Sequence, residues 1–279
     1  AQGDTAWIMP DRLHPTAKGY EEIWLPAILR HMQMELPLAG SSKPGGWDAE
    51  PFTVGAIRWD AWYGESEDKD ETTAQEVIKT LSPECYHWRL PFFAEVGTDG
   101  SVCIDGRKPG VMEREIDYAA DHGIDYWAFL VYHKGVCLNH GLQRYFHAKN
   151  RDRIRFCMIL RLMEKAKRED LWVDLRDRWL QYLDEPGYMR VCGGRELVYA
   201  YPPVEKKYLY EFLSMARARG HNPYLVSLTY PRPVPREKIL ADCPGYAAVG
   251  AYDCIGDTRD YGRLIDLAEK NQWQSAVRE

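Results

Sequence analysis

The sequence predicts an α/β protein of the parallel (β/α) barrel type, and three observations lead to that class. Short apolar runs of strand composition recur between amphipathic helical stretches along most of the chain. Residues 111–133, V-M-E-R-E-I-D-Y-A-A-D-H-G-I-D-Y-W-A-F-L-V-Y-H, place a helical pattern, a glycine stop and a continuously apolar strand in direct succession. Finally, neither G-x-G-x-x-G nor G-x-x-x-x-G-K-[ST] follows the first strand, where a doubly wound nucleotide-binding sheet would carry one. That strand ends instead in W-D-A-W-Y at 59–63. About six strands are legible, two short of the eight that close such a barrel, so a TIM-type barrel with some strands missing is expected.

The elements follow in order. Residues 1–36 carry a helical pattern through Ile23, Trp24, Ala27, Ile28 and Met32, with Thr16 placed to cap it. Residues 37–51 are rich in Pro, Gly and Ser and read as a linker to the main domain, 52–279. Within that domain the first strand is expected at 52–59 and an acidic polar loop at 65–73. A long excursion follows at 80–104, with a hairpin around Asp99 and Gly100. Then come a helix at 111–120 stopped by Gly123, a strand at 124–131, a helix at 141–150 and a strand at 154–160. A helix at 171–183 leads through the Gly193-Gly194 turn into a strand at 196–201. A helix at 204–219 stops at Gly220, strands follow at 223–229 and 246–252, and a last helix at 260–271.

A net charge of −6 argues against a nucleic-acid surface, which is normally basic. No apolar run reaches membrane-spanning length, so no membrane partner is expected. Seven Cys are scattered without a C-x-x-C pair, indicating free thiols rather than a zinc knuckle or a disulfide framework. His87, His122, His140 and His147 are not spaced as metal ligands, and no metal is expected. Ten Trp and 18 Tyr exceed what a core needs. Such rings suit sugar binding, each pairing an apolar face with a polar edge, although an aromatic core would use them equally well.

Two stretches resemble known families. D-R-L-H-P-T-A-K-G-Y-E-E-I-W, from Asp11 to Trp24, resembles the last conserved block of the SGNH/GDSL hydrolases. The resemblance implies that Asp11 and His14 belong to a Ser-His-Asp triad, the Asp fixing the imidazole tautomer so that its other nitrogen takes the nucleophile's proton. The family's Gly-Asp-Ser block is not in the chain, so residues 1–36 are expected to be the remnant of a domain whose nucleophile lies upstream. The main domain is similar to family 99-like glycoside hydrolases, the (β/α)8 group that includes endo-mannosidases. The carrying residues are V-G-A-I-R-W-D-A-W-Y at 54–63, A-A-D-H-G-I-D-Y-W-A-F at 119–129 and R-I-R-F-C-M-I-L at 153–160. G-G-R-E-L-V-Y-A-Y at 193–201 and A-V-G-A-Y-D at 248–253 add to them.

This resemblance implies retaining-type hydrolysis of a glycan with no organic cofactor. The family's acidic E-W-x-E-like segment is not found, so the chain is expected to be an inactive fragment of a longer glycan-processing enzyme. Glycoside hydrolysis uses two carboxyl groups, about 5 Å apart for retention. Asp60 and Asp253, after the first and last strands, are the candidates, with turn capping as the alternative role for each. Trp59, Trp62, Tyr63, Tyr132, His133, Tyr201, Tyr230 and Tyr252 cluster at strand ends and are expected to line a sugar site. Two other functions fit the same residues: an SGNH carbohydrate esterase with the barrel as accessory, and a barrel that binds glycans without cleaving them. Compartment and oligomeric state stay open.

Overall fold

The computed structural model describes residues 53–252, except for 65, 68–71, 202–203 and 230–235. Asp11, His14, Tyr230, Asp253, the linker and the expected terminal helices therefore lie outside the described residues. Those described form one unit, Thr53–Thr229 with Val234–Tyr252.

The first strand, β1 (Gly55–Arg58), is followed by helix α1 (Thr73–Leu81) and a short hairpin, β2 (Glu95–Val96) with β3 (Val102–Cys103). Helix α2 (Val111–Asp121) then leads into β4 (Tyr126–Val131), and α3 (His140–His147) into β5 (Arg155–Leu160). After α4 (Glu169–Leu183) come β6 (Arg190–Val191) and β7 (Arg195–Ala200). Helix α5 (Lys206–Ala218), β8 (Tyr224–Thr229), α6 (Arg236–Asp242) and β9 (Ala248–Ala251) complete the described chain.

Six strands form one parallel sheet in the order β1-β4-β5-β7-β8-β9, with β6 added antiparallel to β7. The order of these six follows the chain and never reverses. A doubly wound sheet would reverse at its switch point, so the crossovers here all proceed in one direction and the sheet curls into a half-barrel.

Local chemistry explains the boundaries. Gly123 ends α2 with φ 80°, and Ile124 N–H reaches back to the Ala119 carbonyl at 3.0 Å. Gly220 ends α5 identically, at φ 87°, with His221 N–H on the Ala216 carbonyl at 3.0 Å. Both are Schellman-type stops, which return unpaired helix carbonyls to hydrogen bonding and release the chain into the next strand. The hairpin turns at Asp99 and Gly100 as expected, Asp99 accepting from the Ser101 amide and hydroxyl.

Three elements differ from expectation. Helix α1 fills the interval between the expected polar loop and the long excursion, where no element was expected, because its apolar positions are few and only Ala74 is buried. Helix α6 lies beside a proline-rich stretch that masks its short pattern. Strand β6, two residues long, is below the length at which alternation is visible.

The core lies between sheet and helices. Trp127 and Phe129 of β4 and Phe156 of β5 pack on Tyr145 of α3, with ring centres 5.5–6.3 Å apart. Trp172 and Trp179 of α4 meet Tyr208 and Phe212 of α5 edge to face. Much of the aromatic surplus is thus structural.

Candidate functional site

Alternation along the strands decides which side chains reach the concave face. Trp127 and Phe129 point to the helices, so Tyr126, Ala128 and Leu130 take the opposite face of β4. The parallel register puts Cys157 and Ile159 of β5 on that same face. Tyr199 of β7 joins them, and its hydroxyl meets that of Tyr126 at 2.9 Å across the intervening strand. Continuing the alternation past the strand ends brings Trp59, Tyr132, Arg161 and Tyr201 to the carboxyl-terminal rim, and Tyr252 follows β9. In barrels of this class ligands gather at that rim.

Trp59 is 43 % exposed. Tyr201 and Tyr252 stack on each other, centres 3.9 Å apart at 10°. The Arg161 guanidinium lies 5.3 Å from the Tyr201 ring centre, and its Nη1 donates to the Tyr201 carbonyl at 3.4 Å. Among the described residues no carboxylate forms an ion pair with Arg161. Arg161 was not among the residues expected at the site. The available signal was a charged residue immediately after the buried run I-R-F-C-M-I-L, at a carboxyl-terminal strand end.

Tyr132 and His133 are buried in a tightly held turn rather than set out at the surface. The buried Asn139 side chain accepts from the Tyr132 amide at 2.9 Å and donates to the carbonyls of Tyr132 and His133. Arg178 of α4 adds a second donor to the Tyr132 carbonyl at 3.0 Å. This closes backbone groups that would otherwise be stranded beyond the strand end.

Behind β1 the chemistry is different. Arg58 shares the helix-facing register of Phe129, and its guanidinium lies 4.2 Å from the Trp127 ring centre. Its Nε donates to Asp60 at 2.8 Å, and its Nη2 donates to Glu115 of α2 at 2.7 Å and to the Tyr63 hydroxyl at 2.9 Å. Tyr63 in turn donates to Glu115 at 2.9 Å. Asp60 is only 3 % exposed and Tyr63 fully buried.

Gly141, at the start of α3, is required here: a Cβ at that position would stand 2.1 Å from the Asp60 carboxyl. Burial above all, with the Glu115 charge, pushes the Asp60 carboxyl up to about 6 against the opposing pull of Arg58. The Arg58 guanidinium is held above its ordinary value, Asp60, Glu115 and Tyr63 together outweighing burial. Burial likewise raises the Tyr63 hydroxyl.

The expected strand-end residues are therefore sorted into two groups. Trp59, Tyr201 and Tyr252 stand at the rim. Asp60 keeps the helix-facing alternation of Arg58, the turn at 61–63 brings Tyr63 back to the same side, and there both serve a buried ion network. Trp62 is half-buried edge-on to Phe93, with ring centres 6.4 Å apart. Among the described residues no group of three His, Cys, Asp or Glu is placed to hold a metal ion. Neither a family model nor a curated protein matches the chain.

Proposed function

We propose that this chain is a glycan-binding half-barrel from a carbohydrate-active enzyme of glycoside hydrolase type, with the carboxyl-terminal rim as the sugar site. The observation that carries this reading is the presence of an exposed Trp59 and the Arg161–Tyr201–Tyr252 stack at the same carboxyl-terminal end of a singly wound parallel sheet. An exposed indole offers a flat apolar face to a pyranose ring, and the guanidinium offers forked donors to its hydroxyls. The sequence resemblance to family 99-like hydrolases points to mannose-containing oligosaccharides as the first ligands to try.

Hydrolysis needs a carboxyl pair. Of the two candidates, Asp60 is committed to Arg58 and Asp253 lies outside the described residues. The commitment of Asp60 to Arg58 favours binding over cleavage for the described unit, so a glycan-binding barrel without its own catalysis is the second reading. Titration of the 279-residue chain with manno-oligosaccharides tests both. Saturable binding that weakens about tenfold or more in Trp59→Ala, with no product released, fits the second reading. Binding with turnover fits the first, and no binding by the wild-type chain overturns both.

A further inference from the structure

At the opposite, amino-terminal end of the sheet, a cleft of about 570 Å³ opens beside the start of β5. That volume lies within the usual range for small-molecule sites. The hydroxyls of its aromatic floor are already engaged: Tyr145 donates to the Ile154 carbonyl at 2.7 Å, and Tyr188 to the Leu197 carbonyl at 2.9 Å. The donors left to meet a ligand belong to three arginines, Arg151, Arg155 and Arg190, all lining the cleft.

Their engagement is light. Among the described residues the hydrogen-bond partner of the exposed Arg155 guanidinium is the Met189 sulfur, at 3.8 Å, and it has no carboxylate partner. Arg151 uses a single nitrogen, donating to the Phe146 carbonyl at 3.1 Å and reaching Glu185 only at 3.4 Å. Arg190 also uses one nitrogen, on Glu196 and the Gly194 carbonyl. The lining sets Glu185 and Asp152 among the three arginines, and Glu196 behind it takes up Arg190, so Arg155 is the lining cation with no carboxylate partner among the described residues.

We propose that this cleft is a second binding site, for a small ligand bearing a tetrahedral oxyanion such as a phosphate or sulfate group. Three guanidinium groups present more N–H donors than the two oxygens of one carboxylate can accept. A tetrahedral oxyanion supplies the extra acceptors, and its charge meets the Arg155 guanidinium. The site is independent of the sugar-binding reading at the rim.

Gly187 supplies a clean test of occupancy. It lines the cleft, its φ is not positive, and an added Cβ would stand 3.6 Å from the Tyr145 hydroxyl, an ordinary contact. Gly187→Leu should therefore fill the space without straining the backbone. The experiment is isothermal titration of the 279-residue chain with sodium phosphate and with glycerol 1-phosphate, at fixed ionic strength in chloride.

Saturable one-to-one binding is expected, with Kd raised at least tenfold in Arg155→Gln and binding abolished in Gly187→Leu, whose Tm stays near that of wild type. Tighter binding of the ester identifies an organic phosphate as the ligand type, and tighter binding of phosphate identifies the free ion. No saturable heat with either probe, or equal Kd values for wild type and Arg155→Gln, overturns the proposal.

Discussion

Arg58 and Arg161 stand at the carboxyl-terminal ends of parallel strands, and each guanidinium lies over an aromatic ring. They differ in the face they occupy. Arg58 points to the helices, is 10 % exposed, and holds two carboxylates, Asp60 and Glu115. Arg161 takes the concave face, half-buried, with no ion pair among the described residues. The same residue type in the same kind of position is thus a structural tie on one side of the sheet and an open donor on the other. Strand alternation alone separates the two roles. It also splits the motif W-D-A-W-Y, sending Trp59 to the rim and Asp60 behind it, where the following turn brings Tyr63 as well.

Breaking the buried member should cost most. Arg58→Met leaves Asp60 and Glu115 facing each other without their cation, and we expect a loss of about 3 kcal/mol in urea denaturation. A loss under about 1 kcal/mol would mean that the network contributes little to folding. In the same variant the Asp60 carboxyl should titrate above its wild-type position near 6, since Arg58 is the charge that opposes burial there.

The second test uses pH. The Asp60 carboxyl is raised from 3.8 to about 6 on folding, so the folded state holds that proton more tightly than the unfolded chain does. Its contribution favours folding at low pH and is lost as pH rises from about 4 to about 6. At ~1.36 kcal/mol per pKa unit the amplitude is about 3 kcal/mol. Asp60→Asn should flatten this interval relative to wild type when unfolding free energy is measured from pH 4 to 7. An unchanged slope would show that Asp60 does not carry the proton.

The smallest stability effect belongs to the rim. Arg161→Met should shift unfolding free energy by about 0.5 kcal/mol or less, because no ion pair among the described residues is broken. Its effect should fall instead on sugar affinity. A stability loss comparable to that of Arg58→Met would erase the distinction between the two arginines.

Much of the fold was legible because its signals are local. The apolar run of β4 and the glycine stops of α2 and α5 are fixed by a few neighbouring residues, and they appear where the sequence places them. Helices α1 and α6 were not, since a nine-residue helix with one buried side chain and a seven-residue helix beside prolines leave little periodic signal. At the site, aromatic strand ends were legible as a class. The assignment of each ring to rim or interior was not, because an aromatic at a strand end suits a sugar face and a core equally well, and the turn that follows decides between them.

The sequence by itself determined the alternation of strands and helices, the order in which they occur and the absence of a phosphate loop after β1. Hydrophobic period and turn chemistry act over a few residues, and so are written in the chain directly. Only the tertiary structure decided that Arg58 meets Glu115, 57 positions away, that Gly141 seats Asp60, and that Arg161 lies over the Tyr201 ring. Those pairings depend on which face of a strand meets which helix, and that is set when the sheet registers and curls.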